Sequence, residues 1–117
     1  MKYTIYHNPR CRKSREALQL LEEKNIKFKV VRYLEQNFDI KSLGKVLDII
    51  GKKPSDALRK NEEIWKKQLN GKKIGEEEIL KLMIKYPKLI ERPIIINGNK
   101  GVIARPLKNL IDFIDKL

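Results

Sequence analysis

The sequence lacks a second cysteine and a second histidine: Cys11 and His7 are the only residues of their types among 117. With one cysteine the chain cannot close an internal disulfide, so any disulfide that Cys11 forms must involve the thiol of a partner. One cysteine and one histidine also fall short of the three or four protein ligands of an ordinary zinc site. We therefore expect no metal site.

Long apolar runs and glycine-rich loops are missing too. No stretch approaches the roughly 20 apolar residues of a membrane-spanning helix. Met1-Lys2 leads directly into a predicted strand instead of a signal peptide, and no glycine-rich nucleotide loop is present. Because a free reactive thiol suits the reducing cytosol, we expect a cytoplasmic protein. The missing nucleotide loop and membrane span lead us to expect no bound cofactor and no membrane contact.

The charge balance is strongly positive, with 27 Lys and Arg against 15 Asp and Glu and a formal net charge of +12. Such an excess raises the rate of encounter with anions, including small oxyanions, acidic proteins and nucleic acids. Most of the excess is lysine spread along predicted helices. Since no basic run is interleaved with aromatic residues, we expect no nucleic-acid binding.

Cys11 follows a predicted strand, Lys2–Tyr6, and lies at or just before the start of a predicted helix, Ser14–Lys24. The unpaired N–H groups and the dipole of a helix N-terminus favour negative charge there, either a bound oxyanion or the cysteine thiolate. Four cations surround the same position: Arg10, Arg12, Lys13 and Arg15. A lone cysteine can also be a small buried hydrophobic residue, and that alternative stays open. The pattern favours a reactive thiolate beside an anion site.

The predicted elements begin with a βαβ unit. Ala17, Leu18 and Leu21 form one apolar stripe on the first helix, and residues 27–33 have the composition of a second strand. A strand, a helix and a strand in this order predict two parallel strands joined by a right-handed crossover. Lysines interrupt the second strand, which is therefore predicted to lie at an edge or to be half exposed.

A polar helical segment, about residues 39–90, is predicted to be an insertion with no sheet of its own. Asp39 is typical of a helix N-cap and Gly51 of a helix end. Pro54 opens a predicted short helix that holds Ala57-Leu58-Arg59. Two further helices are predicted over Glu62–Leu69 and Glu76–Lys85, separated by Asn70-Gly71.

The sheet is predicted to resume after Glu91. Two strands, Ile94–Ile96 and Gly101–Ala104, are predicted to be joined by Asn97-Gly98-Asn99-Lys100, in which Asn-Gly is a hairpin signal. Pro106 is predicted to start a last helix with its core residues at Leu107, Leu110, Ile111 and Ile114. The element order predicts one α/β domain over residues 1–117, a mixed four-stranded sheet flanked by helices, with the helical insertion between the second and third strands.

Arg59, Arg92 and Arg105 lie where the chain is predicted to turn back toward the sheet. Arg92 precedes one strand of the predicted hairpin and Arg105 follows the other, so the two lie at the same end of an antiparallel pair. Guanidinium groups bind oxyanions in a fork geometry that lysine cannot reproduce. Each arginine alone could be an ordinary surface residue; together they predict an oxyanion clamp.

The segment His7-Asn8-Pro9-x-Cys11-x-x-Ser14-Arg15 resembles the active-site loop of the glutaredoxin-dependent arsenate reductases of the ArsC/Spx type. That family has a thioredoxin-like fold, and the resemblance extends over essentially the whole chain. It implies that Arg59, Arg92 and Arg105 hold the arsenic oxyanion over the cysteine. Pro93 matches the proline that is cis in thioredoxin-like folds, although its isomer cannot be predicted from sequence.

Two positions depart from related patterns. Arg12 stands where related sequences often have glycine or serine, which leaves substrate choice open. Ser14 replaces the second cysteine of a Cys-x-x-Cys regulator, so the Spx-type disulfide switch is unavailable. The Cys-x5-Arg loop of low-molecular-weight phosphatases is also absent, because residue 17 is Ala17.

The resemblance implies a monomeric reductase that takes arsenate or a similar oxyanion as substrate, glutathione as co-substrate and glutaredoxin as partner. Cys11 is the expected nucleophile, and His7 either tunes the thiol pKa or makes a loop hydrogen bond. Asn8 and Ser14 are expected to support the loop. Two alternatives stay open: a glutathione-linked thiol oxidoreductase of the same fold, and a non-catalytic Spx-like regulator that binds an acidic protein.

Overall fold

The computed structural model describes residues 3–68 and 73–116, which fall into two compact units. One unit comprises residues 1–36 and 92–117, and the other comprises residues 37–91. The predicted insertion falls within the second unit, while the single-domain organisation stays a prediction. Lys2, Leu69 and Asn70-Gly71, which the sequence placed in or between elements, lie outside the described residues. Over the described ranges no helix is long and apolar enough to cross a membrane.

In chain order the main elements are β1 (Tyr3–Tyr6), α1 (Arg12–Glu23), β2 (Phe28–Val31), α2 (Ile40–Ile50), α3 (Glu63–Gln68), α4 (Glu76–Lys85), β3 (Ile94–Asn97), β4 (Lys100–Ile103) and α5 (Lys108–Asp115). Two short 3₁₀ helices, Pro54–Ala57 and Pro87–Leu89, accompany them.

The first unit contains a four-stranded sheet with the order β2-β1-β3-β4. Strand β1 pairs in parallel with β2 and antiparallel with β3, and β3 pairs antiparallel with β4. The predicted mixed sheet and parallel βαβ unit are therefore confirmed. Because of these directions, the chain leaves β1, β2 and β4 and enters β3 at one common end of the sheet, hereafter the site end.

Helices α1 and α5 pack with the sheet around the core of the first unit. Its fully or nearly buried members are Tyr3, Ile5, Ala17, Leu21, Ile95, Ala104 and Leu110. Burying one large apolar side chain contributes roughly 1.5–3 kcal/mol, so this cluster anchors both ends of the cysteine loop. On β2, Lys29 and Val30 are exposed, as expected of an edge strand.

In the first unit, the hairpin strands and the last helix have boundaries that differ from the predicted ones. Asn97 pairs with Lys100, so the strands extend to these residues and the predicted four-residue connection shortens to the two-residue loop Gly98-Asn99. Gly98 has a φ of +64°, and a positive φ at the first central position is what a type II′ turn requires. Helix α5 begins at Lys108 and not at Pro106, because the N–H groups of Asn109 and Leu110 bond three residues back in a tighter turn.

The second unit is built from helices. Asp39 caps α2 as predicted, accepting a hydrogen bond from the Ser42 N–H at 2.7 Å, and Gly51 ends it with a φ of +69°. The short helix after Pro54 ends at Ala57, earlier than predicted. The reason is an isolated antiparallel bridge between Leu58 and Ile90, which draws the backbone around Arg59 into pairing with residues 89–91. The described part of the insertion, residues 39–68 and 73–90, therefore contains strand-like pairing at this bridge.

Candidate active site

The loop between β1 and α1 places Cys11 at the N-cap of α1, with extended backbone angles of φ −92° and ψ 121°. Asn8 organises the turn, since its backbone carbonyl accepts from the Cys11 N–H and its side-chain Oδ1 accepts from the Arg10 N–H, both at 3.0 Å. Such side-chain turns are a common use of asparagine. The Cys11 thiol is left half-buried and in the free form.

A buried hydrogen-bond network below this loop joins β1 to the first turn of α1. The Ser14 Oγ lies 2.6 Å from His7 Nδ1 and accepts a hydrogen bond from the Asn8 N–H at 3.1 Å. Ser14 is completely buried, and His7 and Asn8 nearly so. The backbone N–H of His7 also donates a hydrogen bond to the Val31 carbonyl of β2 at 2.8 Å. Ser14 therefore ties the start of α1 to the loop after β1, and His7 ties that loop to the end of β2.

The pKa of the Cys11 thiol lies below that of an ordinary cysteine. Burial alone would raise it, but the backbone N–H of Ser14, the hydrogen bond and positive charge of Arg92, and the backbone N–H of Lys13 together outweigh burial. The thiol does not complete an ordinary cap hydrogen bond with these N–H groups, so they act on it mainly as nearby dipoles. The site thus favours the thiolate form of Cys11 more than an ordinary cysteine environment does.

Arg92 and Arg105 meet at the site end of the sheet, as predicted from the hairpin. Arg105 donates from Nε to the Arg92 carbonyl at 3.2 Å, and its Nη2 lies 3.4 Å from the Cys11 Sγ. Ile94 and Ile103 are register partners, which fixes the two arginines opposite each other. The Arg92–Pro93 peptide is cis, and so is Arg105–Pro106, which the sequence had not indicated. Two guanidinium groups therefore face one nucleophilic sulfur.

His7 is disposed to be neutral. Its pKa is lowered first by burial and then by the positive charges of Arg32 and Arg15. Within the described residues its ring makes one hydrogen bond, to Ser14. The geometry thus favours the loop-hydrogen-bond role for His7 over a direct electrostatic effect of an imidazolium on the thiol.

Arg59 lies in the second unit. Its Nη1 is 3.3 Å from Oε1 of Glu91, and its backbone N–H donates to the Leu89 carbonyl at 2.8 Å. The Arg59 side chain is 12% exposed, and its Nε is buried without a hydrogen-bond partner in the part of the chain that the structure describes. Its role in holding an oxyanion stays a prediction from the resemblance.

Arg32 is the site residue that the sequence did not single out. It directly follows β2 and lies at the site end, where its charge acts on His7. A signal was available: two predicted parallel strands end at the same edge, so the residue after the second strand should lie near the loop after the first.

Known proteins resemble this chain along nearly its full length. Residues 6–113 match the ArsC family. The uncharacterized Escherichia coli protein YfgD is 39% identical over 112 residues, covering 94% of each chain. The Haemophilus influenzae arsenate reductase is 34% identical over 116 residues, covering 97% of this chain and 100% of its own.

A solved structure agrees with these relatives. The arsenate reductase of Vibrio cholerae superposes with a TM-score of 0.88 at 33% identity, covering 96% of this chain and 97% of its own. The fold is therefore the thioredoxin-like one that the active-site loop suggested. The matched range, residues 6–113, spans the cysteine loop as well as Arg92 and Arg105, and the chain belongs to the ArsC family.

Proposed function

We propose that this protein is an arsenate reductase that uses Cys11 as its single nucleophile, with glutathione as co-substrate and glutaredoxin as partner. The observation that carries the proposal is the half-buried Cys11 with its lowered pKa, 3.4 Å from the Arg105 guanidinium and under the influence of Arg92. A thiolate held beside two guanidinium groups can bind a tetrahedral oxyanion and attack its central atom.

The reaction begins when the Cys11 thiolate attacks the arsenic of arsenate, forming a sulfur–arsenic bond and expelling hydroxide, which leaves as water once protonated. The glutathione thiolate then attacks the Cys11 sulfur of the adduct, and the sulfur–arsenic bond breaks with its electron pair left on arsenic. The two thiols together supply two electrons, arsenic(V) becomes arsenic(III), and arsenite leaves as Cys11 and glutathione join in a mixed disulfide. The overall change is Cys11 thiol, glutathione and arsenate to mixed disulfide, arsenite and water.

Release of Cys11 requires an external thiol, because the chain has no second cysteine. A glutaredoxin thiolate attacks the glutathione sulfur of the mixed disulfide and returns Cys11 to its thiolate form. Arg92 and Arg105 hold the oxyanion during the first step, a role supported by the closeness of Arg105 to the Cys11 Sγ and by the influence of Arg92 on the thiol. Arg59 is included on its motif match alone.

The test is NADPH consumption coupled through glutathione reductase, with arsenate as the varied substrate. We expect a rate that requires glutathione and glutaredoxin together and that is weak with a thioredoxin system. A protein that shows no arsenate-dependent rate but reduces glutathionylated thiols would be the related thiol oxidoreductase. A protein that does neither, and captures an acidic protein partner, would be a regulator.

A further inference from the structure

The first turn of α1 carries cations where a helix ordinarily favours acids. It contains Arg12, Lys13 and Arg15 and no acidic residue, and the first acidic residue of the whole chain is Glu16. Charges of this sign at a helix N-terminus are unfavourable, by about 0.3–1 kcal/mol each. Helix stability therefore does not account for their position.

Some of these cations have partners. Arg12 lies 3.4 Å from Glu16, and Arg15 donates to the Pro9 carbonyl at 3.0 Å. Three others, Arg10, Lys13 and Arg32, are exposed and make no side-chain hydrogen bond or ion pair with any residue that the structure describes. We name these three the cationic rim.

The rim residues come from two separate segments of the chain, one around Cys11 and one after β2, which the sheet brings to its site end. Arg10 directly precedes Cys11, Lys13 is the second residue of α1, and Arg32 directly follows β2. The His7 N–H bonds to the Val31 carbonyl, so the end of β2 is held beside the cysteine loop. Three positive charges with no described partner therefore lie in or beside the segments that hold Cys11 and His7 at the site end.

We propose that Arg10, Lys13 and Arg32 bind the carboxylates of a small anionic peptide thiol, of which glutathione is the representative, while it reacts at Cys11. The inference rests on the proposed function and specifies how the second substrate is recognised. Glutathione carries two carboxylates that a neutral thiol lacks. Cations near the reacting thiol raise both its local concentration and its encounter rate.

The experiment isolates this step from arsenic chemistry. Cys11 is first converted to a mixed disulfide with 2-thiopyridine. Glutathione thiolate then attacks the Cys11 sulfur, forms the Cys11–glutathione disulfide and expels thiopyridone, whose absorbance gives the rate. The same reaction with 2-mercaptoethanol, a neutral thiol, provides the reference. The ratio of the two rate constants removes effects of the variants on Cys11 itself.

The test variant is Arg10→Gln/Lys13→Gln/Arg32→Gln. The matched control is Lys24→Gln/Lys27→Gln/Lys100→Gln, which removes the same charge. Its three lysines are exposed and lie toward the other end of the unit, at the C-cap of α1, just before β2 and at the start of β4.

We expect the glutathione to 2-mercaptoethanol ratio to fall about tenfold in the rim variant, the low end of electrostatic steering, and by less than about twofold in the control. Added salt should reduce the wild-type ratio in the same direction. An unchanged ratio, or an equal fall in both variants, would overturn the proposal. If the ratio falls in the rim variant but the wild-type protein has no arsenate reductase activity, the role of the rim stands and the proposed function is rejected. Normal reactivity with 2-mercaptoethanol reports that the rim variant is folded around Cys11.

Discussion

The helix starts in this molecule follow two opposite rules. Helix α2 begins with Asp39, whose side chain and Ser42 bond each other's backbone N–H groups in a capping box, and α4 begins with three glutamates in its first turn. Helix α1 begins with Cys11, makes no side-chain cap bond and places cations in its first turn. The starts of α2 and α4 stabilise their helices, whereas the start of α1 leaves its N–H groups and positive potential available to an anion. A local rule that is broken at one helix start and kept at others is typical of a functional site.

The largest expected effect comes from exchanging the two cap residues separately for serine. Cys11→Ser should abolish arsenate-dependent NADPH consumption, because a hydroxyl near neutral pH is a far poorer nucleophile than a thiolate. Asp39→Ser should leave turnover unchanged, because it alters only the cap of α2. The free energy of unfolding of each variant should lie within about 1 kcal/mol of the wild-type value, since serine is a good N-cap residue. Residual turnover in Cys11→Ser would remove Cys11 as the nucleophile.

Arg105→Lys should lower kcat/KM for arsenate by about ten- to a hundredfold. Lysine keeps the charge but has one nitrogen, which cannot reach both the Arg92 carbonyl and the Cys11 Sγ as arginine does. A hydrogen bond to a charged group is worth about 1.5–3 kcal/mol, which sets this range. Arg92→Lys and Arg59→Lys belong in the same assay. A normal rate in Arg59→Lys would exclude the third arginine from oxyanion binding.

Ser14→Ala should raise the pKa of Cys11 toward the ordinary value of about 8.5. Ser14 is the third residue of α1, and its Oγ links His7 and Asn8 beneath the cysteine loop. Ser42 is the third residue of α2, so Ser42→Ala is its positional match. The measurement is the pH midpoint of iodoacetamide alkylation, because the alkylation rate rises as the thiol loses its proton. The midpoint should rise in Ser14→Ala and remain at the wild-type pH in Ser42→Ala. Equal midpoints in both variants would contradict the role of Ser14 in positioning the cysteine loop.

Asp39→Ala tests the conventional helix start. Removing its carboxylate leaves the Ser42 N–H without its cap acceptor, so the free energy of unfolding should fall by about 1 kcal/mol. Denaturant unfolding measures the loss, and the alkylation midpoint of Cys11 serves as the control. A shifted midpoint would show that the two helix starts are coupled.

The smallest expected effect is a gain in stability at the site. Lys13→Glu puts an acid in the first turn of α1, as α4 already has, and should raise the free energy of unfolding by about 0.3–1 kcal/mol. It should also raise the pKa of Cys11, because a negative charge replaces a positive one near the thiolate. Denaturant unfolding and alkylation measure the two effects on the same sample. A more stable variant with a lower thiol pKa would contradict the trade between stability and reactivity.

Local signals determined much of this protein. The strand, cysteine loop and helix at residues 3–23, the Asp39 cap, the Gly51 stop and the C-terminal hairpin all lie within short stretches whose own backbone hydrogen bonds and apolar periodicity specify them. The chain order of these pieces then indicated the mixed sheet and placed Arg92 and Arg105 at one end. These features needed no knowledge of distant contacts.

Tertiary structure alone decided the contacts that make the site. Ser14 bonds His7 across seven residues, Arg105 reaches Cys11 across 94, and Arg32 joins the site because β2 lies parallel to β1. The hairpin register set the turn at Gly98-Asn99, and pairing with residues 89–91 ended the short helix before Leu58. Strand register and side-chain rotamers fix such contacts, and both depend on how distant segments pack. The sequence could name the nucleophile and its arginines; packing determined which of them meet.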